Sequence, residues 1–275
     1  MIMHLKMLQN ILAALFCLIL FGISPVHAAY VAVTSDMTVS NLRFSLGDPN
    51  AQLQWTDVWA GEARAHTADS GSPASNDSNA SLGNDVSIQA GADTNNGGSL
   101  AKFSISGTNI TASSHTDMLF DQPGMQGDGS AVTTFDNFFK LTNPNYLNIQ
   151  GSVQVNFLLD YNGSLSGMAD EGGFFSGNTH FITFALADGI SSLDSAVFTD
   201  SISGTNTTIT RTNTGTLTIS SLLSYNTEYF LSIVTDDETY THTPPVPIPA
   251  SIILFGSALL GLFGFSNRKL TRIKG

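Results

Sequence analysis

Hydrophobic and polar residues alternate along most of this chain with a period of two, and only its two ends depart from that rhythm. The cleanest stretch is 152–161, where Val153, Val155, Phe157, Leu159 and Tyr161 share one face and Gln154, Asn156 and Asp160 the other. Successive side chains on a strand point to opposite faces, so this pattern predicts a half-buried strand. Leu158 interrupts the polar face, which predicts a position inside a sheet rather than at its edge. Residues 181–187, 207–212, 216–221 and 227–235 alternate similarly, with turn signals at Asp188-Gly189 and Asn213-Thr214-Gly215. Further strands are predicted over 30–33, 39–46, 52–58, 63–66, 86–90, 100–106 and 132–138. Residues 67–99, rich in Ser, Asn, Gly and Asp, read as long loops around one short strand. Many short strands separated by turns predict an all-β fold over 29–243: an antiparallel β-sandwich or a jelly roll.

The ends follow different rules. His4 and Lys6 precede an apolar run from Ile11 to Ile23, then Ser24-Pro25 and Val26-His27-Ala28. A basic start, a short apolar core and a small residue at the cut define a secretory signal peptide over 1–28, removed by signal peptidase after Sec-type export. At the other end, prolines 244, 245, 247 and 249 form a stiff spacer. The stretch 250–267 carries no charge, and as a helix it covers roughly 27 Å, the width of a thin bilayer. Arg268, Lys269, Arg272 and Lys274 follow, and basic residues favour the cytoplasmic side. Both ends therefore place the β region outside the membrane.

Charge narrows the classes of partner. Between the two ends, Arg43, Arg64, Lys102, Lys140 and Arg211 face all 22 acidic residues, a net charge of −17. Such a surface repels phosphate backbones and argues against nucleic-acid binding. The single cysteine, Cys17, leaves with the signal peptide, so the exported part must hold its fold without a disulfide.

Candidate chemistry is sparse. His66, His115 and His180 lie far apart, in no zinc spacing, and read as exposed polar residues. No Gly-x-Ser-x-Gly elbow, phosphate-binding glycine loop or His-Glu-x-x-His helix occurs, so no catalytic residues are assigned. Asp160, Asn162, Ser164 and Glu171 place oxygen ligands in a twelve-residue stretch with a closing glutamate, which suits Ca²⁺. Leu165 stands where such a loop needs glycine, and an ordinary turn is the competing reading. Asp236-Asp237-Glu238 reads as a solvated strand end or a second cation site. Trp55 and Trp59 either stack on sugar rings or fill a core edge, and burial favours the second. Asn76, Asn79, Asn109, Asn162 and Asn206 begin glycosylation sequons and mark exposed loops.

The tail carries the most specific motif. Val246-Pro247-Ile248-Pro249-Ala250, a glycine-dotted apolar stretch and then Arg268-Lys269 resemble the PEP-CTERM sorting signal, in its Val-Pro-Leu-Pro-Ala variant. Ile248 replaces the glutamate of the commonest form, and 270–275 extend beyond the usual end. The resemblance covers 246–275 alone. It implies inner-membrane retention, recognition by an exosortase (a membrane-embedded cysteine protease-transpeptidase), cleavage or transfer near the motif, and delivery to the surface or extracellular matrix. Such proteins are typical of Gram-negative bacteria that make exopolysaccharide. No Leu-Pro-x-Thr-Gly sortase motif is present, and a GPI signal does not end in a basic cluster. The expectation is a non-enzymatic cell-surface or biofilm-matrix protein without a cofactor. Its rivals are a carbohydrate- or calcium-binding adhesion module and a secreted hydrolase.

Overall fold

The computed structural model describes residues 30–56, 59–106, 109–145, 150–170 and 172–245. The expected signal peptide and transmembrane helix, and with them Ala28, Val246, Pro247, Pro249, Ala250, Arg268 and Lys269, lie outside these residues.

Thirteen strands make up the described fold, and all pair antiparallel. They are β1 (Val31–Leu46), β2 (Gln52–Trp55), β3 (Trp59–Asp69), β4 (Ser72–Gly83), β5 (Asp85–Thr94), β6 (Gly97–Ser106), β7 (Asn109–Phe120), β8 (Gln126–Thr142), β9 (Ser152–Ala169), β10 (Phe174–Ala187), β11 (Ser192–Thr205), β12 (Thr208–Ser224) and β13 (Glu228–His242). Sheet A runs β12-β9-β1-β7-β6-β5, and sheet B runs β11-β10-β13-β8-β3-β4. The short β2 pairs with the far end of β8 and continues the line of β3. The all-β expectation holds, and the arrangement is consistent with a β-sandwich. β9 lies between β12 and β1, inside its sheet as Leu158 implied.

The inward positions of both sheets share one apolar core. Phe103 of sheet A stacks on Phe135 of sheet B, ring centroids 5.3 Å apart, and Phe157 meets Phe139 edge-on at 5.3 Å. Trp59 is buried and Trp55 half-buried, 4.7 Å apart between centroids, with Trp55 also against Phe139. Both rings therefore serve the core edge. A second cluster gathers Val31, Val33, Met118, Phe120, Leu165 and Phe175.

Three corrections concern elements. Residues 67–99, expected as loops, form the end of β3, all of β4 and β5, and the start of β6. The turn signal Asn213-Thr214-Gly215 lies within β12, where Gly215 gives room for the Tyr161 ring of β9. Strands β4, β7 and β11 had no counterpart in the pattern. β4 and β11 are sheet edges, exposed along much of their length, which removes the apolar alternation. Unpaired edges invite aggregation, and here the edges of the two sheets are bridged instead. Gly91 N–H of β5 donates to Asp77 Oδ2 of β4 at 3.0 Å, and Ser220 N–H of β12 donates to Asp194 Oδ2 of β11 at 2.6 Å.

Core tolerance at Gly61 follows from this packing. A Cβ there would sit 2.1 Å from the Phe103 ring, whereas one at Gly91 would meet only Leu100 Cδ1 at 3.6 Å. Gly61→Ala should cost about 1–3 kcal/mol in urea unfolding, as overpacking does. Gly91→Ala should leave the midpoint nearly unchanged.

Candidate functional site

The oxygen ligands singled out in the sequence sit on a strand. Asp160, Asn162 and Ser164 project from the outer face of β9, and Glu171 lies outside the described residues. This corrects both the loop and the turn expected there. At about 3.3 Å per residue the three positions spread over roughly 13 Å, so they do not converge on one point. Asp160 is already engaged: Arg43 Nη1 and Nη2 donate to its two oxygens at 2.9 and 2.7 Å, and Thr216 Oγ1 donates at 2.7 Å. The Thr216 hydroxyl foremost, then Arg43, holds its carboxyl below the ordinary range. Among the described residues no three His, Cys, Asp or Glu side chains gather as metal ligands. Of the sequons, Asn206 lies in the exposed bend between β11 and β12, as expected, whereas Asn76 and Asn79 in β4, Asn109 in β7 and Asn162 in β9 are exposed but on strands rather than loops.

The histidines divide. His66 is within 2.6 Å of Asn76 Oδ1 and 3.2 Å of Asp128 Oδ2. His115 lies between Asp117 (3.4 Å) and Asp36 (2.6 Å), whose hydrogen bonds push its imidazole up to about 10. His180, expected to be exposed, is fully buried on β10, beside a fully buried Asp237 on β13. Asp236-Asp237-Glu238 is therefore the interior of a central strand, and its middle carboxyl points into the protein.

Asp237 and His180 belong to a polar belt between the two apolar clusters. Ser35, Thr116 and Ser99 form one cross-strand row on sheet A, with Ser114 two residues before Thr116. Sheet B contributes His180 and Asp237 as cross-strand partners, with Thr235 and Thr239 on either side of Asp237. Part of the belt is satisfied: Thr67 Oγ1 donates to Ser99 Oγ at 2.9 Å, and Thr133 and Thr235 hydroxyls meet at 2.6 Å. The remainder has no protein partner at hydrogen-bond geometry, including both His180 nitrogens, both Asp237 oxygens and the Ser35 and Ser114 hydroxyls. His180 Nε2 and Asp237 Oδ1 stand 3.6 Å apart. Gly163 opposite leaves room for the imidazole, since a Cβ there would lie 2.6 Å from Nδ1.

Burial decides the protonation of this pair. It pushes the Asp237 carboxyl well above the carboxylate range, although Ser114 and Ser35 are near enough to lower it somewhat. It pushes His180 down to about 4. Each group thus favours its uncharged form, the less costly state for an ionisable group out of water. Hydroxyl, imidazole and carboxyl are assembled here, but both titratable side chains are closed to solvent, so an external substrate has no approach to them. The sequence did contain the signal. In β7 the inward phase runs Ile110, Ala112, Ser114, Thr116, Met118, Phe120, and following that phase through its polar members finds the belt.

No protein-family model matches this chain, and no curated protein matches it significantly.

The pH dependence of the pair gives a test. Asp237 binds its proton more tightly folded than unfolded, so its contribution to stability falls as pH rises above about 3.8 toward its folded value. Asp237→Asn removes that loss. Urea unfolding from pH 4 to 8 should show the variant gaining on the parent as pH rises, whereas a constant difference would mean Asp237 does not titrate differently in the fold.

Proposed function

We propose that this chain is a non-enzymatic protein of the cell surface or exopolysaccharide matrix, exported by a Sec-type route and sorted by an exosortase-type system. The observation that carries the reading is the order of features at the C-terminus. Val246-Pro247-Ile248-Pro249-Ala250 stands directly before the uncharged stretch 250–267, which Arg268-Lys269 closes. Each part has a physical role: the prolines hold the motif extended, the apolar stretch suits hydrocarbon, and the basic pair resists translocation. The precursor is then anchored in the inner membrane through this stretch, and the mature protein reaches the surface or matrix. Signal peptidase acts first, after Ala28.

The non-enzymatic reading rests on the sequence, which carries no nucleophile elbow, phosphate-binding glycine loop or zinc-helix motif. A binding role is the second reading, and the outer face of sheet B favours it.

Intact-mass spectrometry of the protein recovered from its native source tests the processing. The expected mass lacks 1–28 and ends near Pro247–Ala250, with or without a transferred group. A mass that still includes Arg268 and Lys269 in surface material would contradict exosortase-type sorting.

A further inference from the structure

The outer faces of the two sheets differ in chemistry. On β12 of sheet A the outward positions from 208 to 218 are all threonine, followed by Ser220 and an exposed Leu222, a surface without rings. Sheet B instead exposes aromatic rings on its central strands. Phe138 of β8 and Phe230 of β13 are cross-strand partners with ring centroids 5.1 Å apart, and Phe138 stays 36% exposed. Phe181 of β10, 38% exposed, stands beside Asp236 of β13, which in turn pairs with Val132 of β8. From Phe230 to Asp236 is six residues, roughly 20 Å along the strand. Between the two aromatic positions the floor is Ser232, Val234, Thr134 and Asp136. Next to Val132 the face sinks into an open hollow of about 530 Å³, lined by Arg64, His66, Asn76, Ser78 and Ser130 among others.

The carboxylates of this face are unequally matched by cations. Glu62 is held by Arg64 at 2.5 Å, and Asp128 by His66. Among the described residues Asp136 and Asp236 have no basic partner, and each keeps one buried oxygen without a hydrogen-bond donor. Burial raises both carboxyls, and the neighbouring Glu238 adds to the effect at Asp236, which reaches about 6. The second oxygen of each carboxyl is not closed off in this way, and a cation lying on the sheet would offset its charge there.

We infer that the outer face of sheet B, from Phe138 and Phe230 to Phe181 and Asp236, docks an extended polysaccharide carrying free amino groups. The rings provide stacking platforms for pyranose faces, and the strand between them is long enough for several sugars in a row. Amino groups match the unpaired Asp136 and Asp236, and an ammonium is also attracted to an aromatic face. Uronate polymers are repelled by the same carboxylates. The choice of ligand class rests on the proposed matrix location, while the binding measurement is independent of how the tail is processed.

The test uses the intact chain in detergent, titrated by calorimetry with glucosamine oligomers, their fully N-acetylated counterparts and oligogalacturonate at low salt. Glucosamine oligomers should bind at least tenfold more tightly than the N-acetylated form, and oligogalacturonate should not bind. Asp236→Asn should weaken glucosamine binding about tenfold and bring the two forms together, with circular dichroism and urea midpoint confirming the fold. Phe138→Ser, on the exposed side of the sheet, should weaken both forms equally. No binding of any oligomer, equal affinity for the amino and acetylated forms, or indifference to both substitutions would overturn the inference. A failure here with a correctly trimmed native mass would leave the sorting proposal standing.

Discussion

Phe103 against Phe135 and Phe157 against Phe139 are the contacts on which the rest of this molecule depends, because each joins a ring of one sheet to a ring of the other. Without a cysteine outside position 17, no covalent bond restrains the sheets. Their spacing is set by how these rings pack, and burial of such side chains contributes about 1.5–3 kcal/mol each. Small residues answer the rings wherever the gap narrows. Gly61 faces Phe103, and Ala63, Ala65, Ala90, Ala92, Ala101 and Ala131 cluster where no large side chain fits. The inner faces therefore fix the distance, and the outer faces remain available for other work.

Inside that frame, the belt around His180 and Asp237 is a polar seam between two apolar clusters. A buried polar group without a partner costs about 1–3 kcal/mol, so such a seam is retained at an energetic disadvantage. The register is fixed by the apolar positions on either side of it. A slip of one residue would turn Phe135, Phe184, Leu231 and Ile233 to solvent, a loss that releasing His180 and Asp237 into water cannot offset.

Period-two alternation made the long central strands legible, above all β9, β13 and the second half of β10. It failed where burial and polarity part company. β7 was lost because Ser114 and Thr116 occupy inward positions. β4 and β11 were lost because edge strands have little apolar face to show. Asn213-Thr214-Gly215 and Asp160–Ser164 imitate turns because small polar residues serve both turns and outward strand positions, and only pairing with β9 or β1 tells them apart. Trp55 and Trp59 were legible as core residues from their size. His180 was not, since nothing local distinguishes a buried histidine from a solvated one. The aromatic face of sheet B was hidden for a different reason: Phe138, Phe181 and Phe230 come from three separated segments, and only the register brings them onto one surface.

The last residues of the β region are held firmly by the fold. Thr243 is buried, its hydroxyl donating to Gln122 O at 2.7 Å and accepting from Met125 N–H at 2.8 Å, and Gly124 N–H reaches the Thr243 and Pro244 carbonyls. The fold thus holds the chain through Pro244, two residues before the proposed sorting motif. Ending the chain after Pro245 tests the central claim, that the fold is complete without the tail and that the tail alone anchors it. The account predicts a protein released into the soluble fraction that unfolds cooperatively in urea with a β-sheet spectrum. A truncated protein that still fractionates with inner membranes, or shows no cooperative unfolding, would contradict it.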